Sequence, residues 1–252
     1  LLGRHVGGYT AFAFEITPYA RFDAPNLLAV RVDNSHDPDI PPLEADFTFF
    51  GGIYRDAWLI ATDPLHVDVL DHASAGIFID TPQADAGRAV VRVRGAVVNQ
   101  SGARREVSVR HRVLDAQGRE VARTASRPLA MDGGRRVFED LLPPLRNPQL
   151  WSPDAPYLYR VVTEVLHAGR VTDRVENRFG VRWFHFDAQR GFVLNGRPTA
   201  LYGSNRHQDL AGHGNALTTA QHRRDVELVK RTGFNFLRLA HYPQADAVLE
   251  AT

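Results

Sequence analysis

Cysteine is absent from the 252 residues, methionine occurs once, and lysine occurs only as Lys230. Without cysteine the chain can form no disulfide and no thiolate metal site, and this absence leaves the compartment open. With one lysine, arginine carries nearly all the positive charge. Neither sign of charge is in excess. The formal net charge is +1, which gives no reason to expect nucleic acid or an anionic membrane as partner. No apolar run approaches the roughly 18 residues of a membrane span. No signal-peptide pattern opens the chain at Leu1, and the compartment stays open between cytoplasm and periplasm. There is no periodic repeat and no low-complexity segment. The length suffices for two or three domains.

What is present is mostly β pattern. Phe12, Phe14 and Ile16 alternate along one segment and Leu28, Val30 and Val32 along another, with a turn at Pro25-Asn26. Residues 40–45 are Pro-rich and acidic, and Gly51-Gly52-Ile53-Tyr54-Arg55-Asp56 then feeds the apolar run 57–60. Thr62-Asp63-Pro64 reads as a boundary. Beyond it Leu65, Val67 and Val69 alternate, as do Ala89, Val91 and Val93, and in part Val107, Val109 and Val113. Turn signals stand at Gly102, Gly118 and Gly133-Gly134. Short strands separated by such turns indicate a sandwich, in which Trp151 reads as a packing residue. Asn195-Gly196 fits a tight hairpin turn.

The periodicity changes after residue 198. Residues 199–203 are a short apolar run, followed by the polar loop Asn205-Arg206-His207-Gln208-Asp209 and by Gly212-His213-Gly214. Thr218 and Gln221 have the spacing of a capping box. Val226 and Val229 share one helix face, Arg223, Glu227 and Arg231 another, and Gly233 stands where a helix ends. Residues 234–239 read as a strand buried on both faces. Strand, helix and strand make a βαβ unit with parallel strands. Loops at the C-terminal ends of such strands converge on ligand sites. Here they carry Asn205, Arg206, His207 and Asp209, then Arg238, His241 and Tyr242. A bound polar ligand is the functional reading, and solvated loops with one satisfied histidine the bland one. A metal site of His207, Asp209, His213 and His241 is a third reading, without any short metal-binding spacing to support it.

Asn205-Arg206-His207-Gln208-Asp209, Arg224-Asp225-Val226 and Phe236-Leu237-Arg238-Leu239-Ala240-His241-Tyr242-Pro243 resemble glycoside hydrolase family 2. The resemblance extends to Gly7-Gly8-Tyr9-Thr10 and Gly52-Ile53-Tyr54-Arg55-Asp56, and to Pro148-Gln149-Leu150-Trp151-Ser152-Pro153-Asp154. It implies a multidomain, mainly β chain. Residues 1–62 would be the C-terminal part of a jelly-roll sugar-binding domain whose first half is expected to be absent. Residues 63–181 would be an immunoglobulin-like β-sandwich, and 182–252 the N-terminal part of a (β/α)8 TIM barrel. A complete barrel takes about 250 residues, so roughly its first quarter is expected here.

The function implied is hydrolysis of terminal β-D-galactosides by a retaining mechanism, which needs two carboxylates about 5 Å apart. By the resemblance, the acid/base and nucleophile glutamates lie beyond Thr252. Glu227 and Glu250 read as surface charges, and the chain alone is expected to be inactive. The resemblance places Asp46, Asn205, His207, Asp209, Arg238 and His241 in substrate binding. It has Arg238 orient the nucleophile and Asp46 reach the sugar's 6-hydroxyl beside a monovalent cation. No cofactor is required, with Na+ or Mg2+ allowed as a bound ion. A carbohydrate is the partner implied, and the complete protein is compatible with a homo-oligomer. β-Glucuronidase is the alternative within the family, and a non-catalytic carbohydrate-binding or scaffolding β-module protein the alternative outside it.

Overall fold

Valine alternation builds the larger part of the molecule. The computed structural model describes residues 1–41 and 47–252, so Asp46 and its neighbours 42–45 lie outside the described residues. Two compact units form, one of Ile60–Ala200 and one of Leu1–Leu59 with Leu201–Thr252.

In the Ile60–Ala200 unit the strands run β1 (Leu65–Val67), β2 (Ile77–Ala84), β3 (Arg88–Asn99), β4 (Arg105–Leu114) and β5 (Glu120–Ala125). They continue as β6 (Leu129–Met131), β7 (Gly134–Leu141), β8 (Leu145–Arg146), β9 (Tyr159–His167) and β10 (Arg170–Phe179). Two antiparallel sheets result. In one, β3 pairs with β1, β2, β7 and β8; in the other the order is β10-β9-β4-β5, with β6 also on β4. Ala89, Val91, Val93 and Val97 of β3 meet Val107, Val109 and Val113 of β4 and Val161 and Val165 of β9 in one buried cluster. Each buried valine is worth about 1.5 kcal/mol or more, and its branched Cβ suits the pleat. The expected turns occur where glycine permits a positive φ, at Gly102, Gly118 and Gly134.

A hairpin of β11 (Phe184–Asp187), β12 (Gly191–Leu194) and β13 (Arg197–Pro198) completes this unit. Its turn residues Asn195 and Gly196 have φ of +51° and +78°, the left-handed pair that a two-residue hairpin requires. The Asn195 side chain donates to Trp151 O at 2.9 Å. Trp151 packs between Gly180 and the Arg182 guanidinium, 4.4 Å from its ring. It is a packing residue, as its setting in the sequence suggests.

Residues 1–59 depart from the sequence pattern. Among their described residues no strand forms, only the 3-10 turn Thr17–Tyr19. Leu28, Val30 and Val32 are 67, 59 and 47% exposed. Alternation prepares one face of a strand, but a strand exists only as a ladder. Among the described residues this segment pairs with no strand, so no ladder forms.

The βαβ unit is present. It comprises β14 (Gly203–Arg206), α1 (Thr219–Arg231) and β15 (Phe236–Leu239), and α2 (Asp246–Ala251) follows. The two strands are parallel, with Asn205 opposite Arg238. Thr218 and Gln221 close the expected reciprocal capping box. Gly233, at φ +87°, ends the helix with its N–H on Lys230 O, while Phe234 N–H reaches Val229 O. Two expectations shift. The first strand lies at Gly203–Arg206 rather than over the apolar run 199–203, because the ladder follows its partner. Gly203 permits that close approach, since a Cβ there would lie 2.1 Å from Phe236 O. The second strand is not buried on both faces: Phe236 is 45% exposed, and among the described residues β14 is its one strand neighbour.

The sandwich core contains one fully buried histidine. His111 Nδ1 lies 2.9 Å from Thr163 Oγ1, and its Nε2 lies 3.1 Å from Asp140 Oδ2 of the facing sheet. His111→Ala should cost about 2–4 kcal/mol, because it leaves a cavity and strips both partners of their hydrogen bonds. Urea unfolding followed by fluorescence checks this.

Candidate active site

Side chains alternate along β14 and the residues after it, and the alternation sorts them by role. Arg206 and Gln208 turn inward, at 6 and 1% exposure. Asn205 is exposed and His207 half-buried. Beyond β15, Ala240 and Tyr242 are buried and His241 is exposed. The Ala240–His241 peptide is cis. His207 and His241 thus stand at adjacent strand ends, with ring centroids 5.3 Å apart at 73°.

Arg238 joins the group. Its Nη2 donates to His241 Nδ1 at 3.1 Å, and its Nη1 makes a long bond, 3.4 Å, to Asn205 Oδ1. Arginine has no acceptor, so His241 Nδ1 must be the accepting nitrogen. The proton of the neutral ring is therefore on Nε2, which is left as a donor. Asn205, His207, Arg238 and His241 come together as the sequence suggests. Asp209 does not join them: it is exposed on the following loop and makes no hydrogen bond or ion pair with the other four. Nor do His207, Asp209, His213 and His241 form a metal centre. Among the described residues no three His, Asp or Glu side chains are placed to hold an ion. Glu227 and Glu250 are surface charges, paired with Arg231 at 3.3 Å and with Arg223 at 3.0 Å.

The sequence reading missed Phe47. Its ring centroid lies 5.2 Å from that of His207, 6.0 Å from His241 and 5.3 Å from Tyr242, so it walls one side of the histidine pair. Its position next to an acidic, Pro-rich loop gave no periodic signal. The supporting groups behind the histidines were also missed. Arg206 donates to Asp225 Oδ2 at 2.7 Å, to His222 Nδ1 at 3.0 Å and to Gln244 Oε1. Gln244 Nε2 returns a bond to Arg206 O at 2.7 Å. Helix α1 and both strand ends are thereby tied to one guanidinium. The spacing of His222, Asp225 and Val226 on one helix face was the available signal.

Comparison with known proteins identifies the family. The family model described as "Glycosyl hydrolases family 2" matches residues 72–182, and "Glycosyl hydrolases family 2, TIM barrel domain" matches residues 188–252. The chain belongs to glycosyl hydrolase family 2. A β-glucuronidase of Bacteroides fragilis is 38% identical over 97% of the chain and 35% of its own length. A β-galactosidase of Bacteroides ovatus is 38% identical over 99% of the chain and 28% of its own length. The solved β-glucuronidase of Bacteroides uniformis superposes with a TM-score of 0.95 at 42% identity, over 99% of the chain and 30% of that structure. The chain thus spans about a third of the length of the curated relatives it matches.

Burial holds the His222 imidazole below its ordinary value of 6.5, with Arg206 adding to the effect and Asp225 opposing it. The folded state therefore favours neutral His222, as the bond from Arg206 to Nδ1 requires. Below pH 6.5 the unfolded chain takes up a proton that the folded chain refuses, so stability falls as the pH drops through 6.5 toward the lowered folded value. His222→Gln should remove this part of the acid destabilisation. Thermal melts of both proteins between pH 7.5 and 5 test it; an unchanged pH slope would assign the effect to another group.

Proposed function

We propose that the complete protein is a retaining exo-β-glycosidase acting on terminal β-D-galactosides, and that this chain contributes the sugar-binding side of its active site. The observation that carries the reading is the His207–His241 pair with Arg238 fixing His241 through Nδ1. A neutral imidazole held this way presents Nε2–H to a ring hydroxyl. Such a bond tightens as charge develops at the anomeric carbon, and so favours the transition state over the bound sugar. Arg238 also has donors suited to orienting a carboxylate, the part assigned here to the nucleophilic glutamate. Chemistry at the anomeric carbon needs two carboxylates, and the carboxylates Glu227 and Glu250 are committed to surface pairs.

β-D-Glucuronides are the second reading, and a specific observation favours them. The Bacteroides uniformis β-glucuronidase, 42% identical, has been solved covalently bound to cyclophellitol-6-carboxylate aziridine. That covalent adduct also supports a retaining mechanism for the relative named. The two sugars differ in the substituent on C5, a hydroxymethyl against a carboxylate, and in the configuration at C4. Asp46 would hold the 6-hydroxyl of the former, with a monovalent cation beside it in the complete enzyme.

The test is a side-by-side measurement of kcat/KM on nitrophenyl β-D-galactoside and β-D-glucuronide by the complete protein. Galactoside should be preferred by more than about tenfold, or about 1.4 kcal/mol in transition-state binding; the reverse preference selects the glucuronide. His241→Ala should lower kcat by about 10²–10³, the loss typical of one transition-state donor, with little change in melting temperature. The 252-residue chain alone should show no turnover above buffer.

A further inference from the structure

Three contacts of one guanidinium link the two loops that carry the candidate histidines. Arg55 belongs to the first segment of the chain, far in sequence from either loop. Its Nη2 donates to Gln208 Oε1 at 2.9 Å, in the loop after β14, and to Pro243 O at 2.6 Å, in the loop after β15. Its Nη1 donates to Tyr9 O at 2.9 Å. The Tyr9 ring stacks on that of Tyr242, centroids 4.2 Å apart and 7° from parallel. The Tyr242 hydroxyl accepts from Gln208 N at 3.2 Å. The contacts therefore close on themselves, from Arg55 to Tyr9, Tyr242, Gln208 and back to Arg55.

Gln208 is the immediate neighbour of His207, and Tyr242 of His241. Fixing Gln208 and Tyr242 against each other fixes the two imidazoles that flank them. Gln208 is 1% exposed and Tyr242 8%, so water does not compete for the bond between them. Burial, with Tyr54 and Tyr242 beside it, pushes the Tyr9 phenol up to about 12, so Tyr9 stays neutral at working pH.

We infer that Arg55 is a positioning residue for the sugar site: it touches no substrate and sets the separation of His207 and His241 through Gln208 and Pro243. The role as it bears on catalysis rests on the glycosidase reading above. Lysine at this position would keep the charge but offers a single nitrogen, too compact to span three acceptors on three segments.

The experiment has two arms. In the complete enzyme, Arg55→Lys should lower kcat/KM by about 10²-fold, the scale of an ångström-level misplacement, with most of the loss in kcat. Gln208→Glu, which keeps the acceptor, should retain most of the rate, and Gln208→Leu should lose it. Because Arg55 acts through the histidines, Arg55→Lys combined with His241→Ala should be little slower than His241→Ala alone. A full rate for Arg55→Lys, or losses that multiply in the double variant, would overturn the proposal. The second arm is independent of turnover. In the 252-residue chain, nuclear magnetic resonance of the His207 and His241 rings should show both sets of signals displaced by Arg55→Lys. Unchanged ring signals overturn the clamp. If the wild-type enzyme cleaves neither glycoside, the glycosidase reading falls by itself and the ring signals still decide the role of Arg55.

Discussion

The Arg206 guanidinium lies almost entirely out of water, and a charge in that position needs a counter-charge and hydrogen-bond acceptors close by. Asp225 supplies the charge, and with His222 and Gln244 it accepts from the two terminal nitrogens. Those three residues come from helix α1 and from the chain after β15. The requirement to satisfy one buried cation therefore fixes the helix against the sheet and the second loop against the first. His207 and His241 inherit their placement from it. At half-buried Arg55, hydrogen bonds to two backbone carbonyls and one side-chain amide tie in the first segment of the chain.

The two units are held by different physics. In the Ile60–Ala200 unit the burial of valine between two sheets dominates, and buried polar groups such as His111, between Thr163 and Asp140, are set into that apolar core. In the other unit apolar burial is sparse, and the described structure is organised by arginine hydrogen bonds and ring contacts. A guanidinium offers five donors in a rigid fork, so one residue can join several loops that have no common hydrophobic core. A site assembled from such contacts is precise where each donor is satisfied. It is correspondingly sensitive to the loss of a single acceptor.

Much of the fold was legible because the periods are local. Val91 and Val93, Val107 and Val109, the Thr218–Gln221 box and the Asn195-Gly196 turn each follow from near neighbours in sequence. The alternation in residues 1–59 was equally clear and produced no ladder among the described residues, because hydrogen-bonded neighbours are not a property of the segment that needs them. The position of β14 moved by a few residues for the same reason: its partner, and the close approach at Gly203, set the ladder rather than the apolar run before it.

Sequence alone determined the family, the sandwich, the βαβ unit and the grouping of Asn205, His207, Arg238 and His241 at strand ends. All of these depend on residue type and on spacing along a few turns or strands. Tertiary structure alone decided which loop residues turn inward. It brought Phe47 against the histidine pair and gave Arg55 and Arg206 their partners. Those outcomes depend on which groups meet across long separations in the chain, where a buried donor must find an acceptor that no local pattern announces.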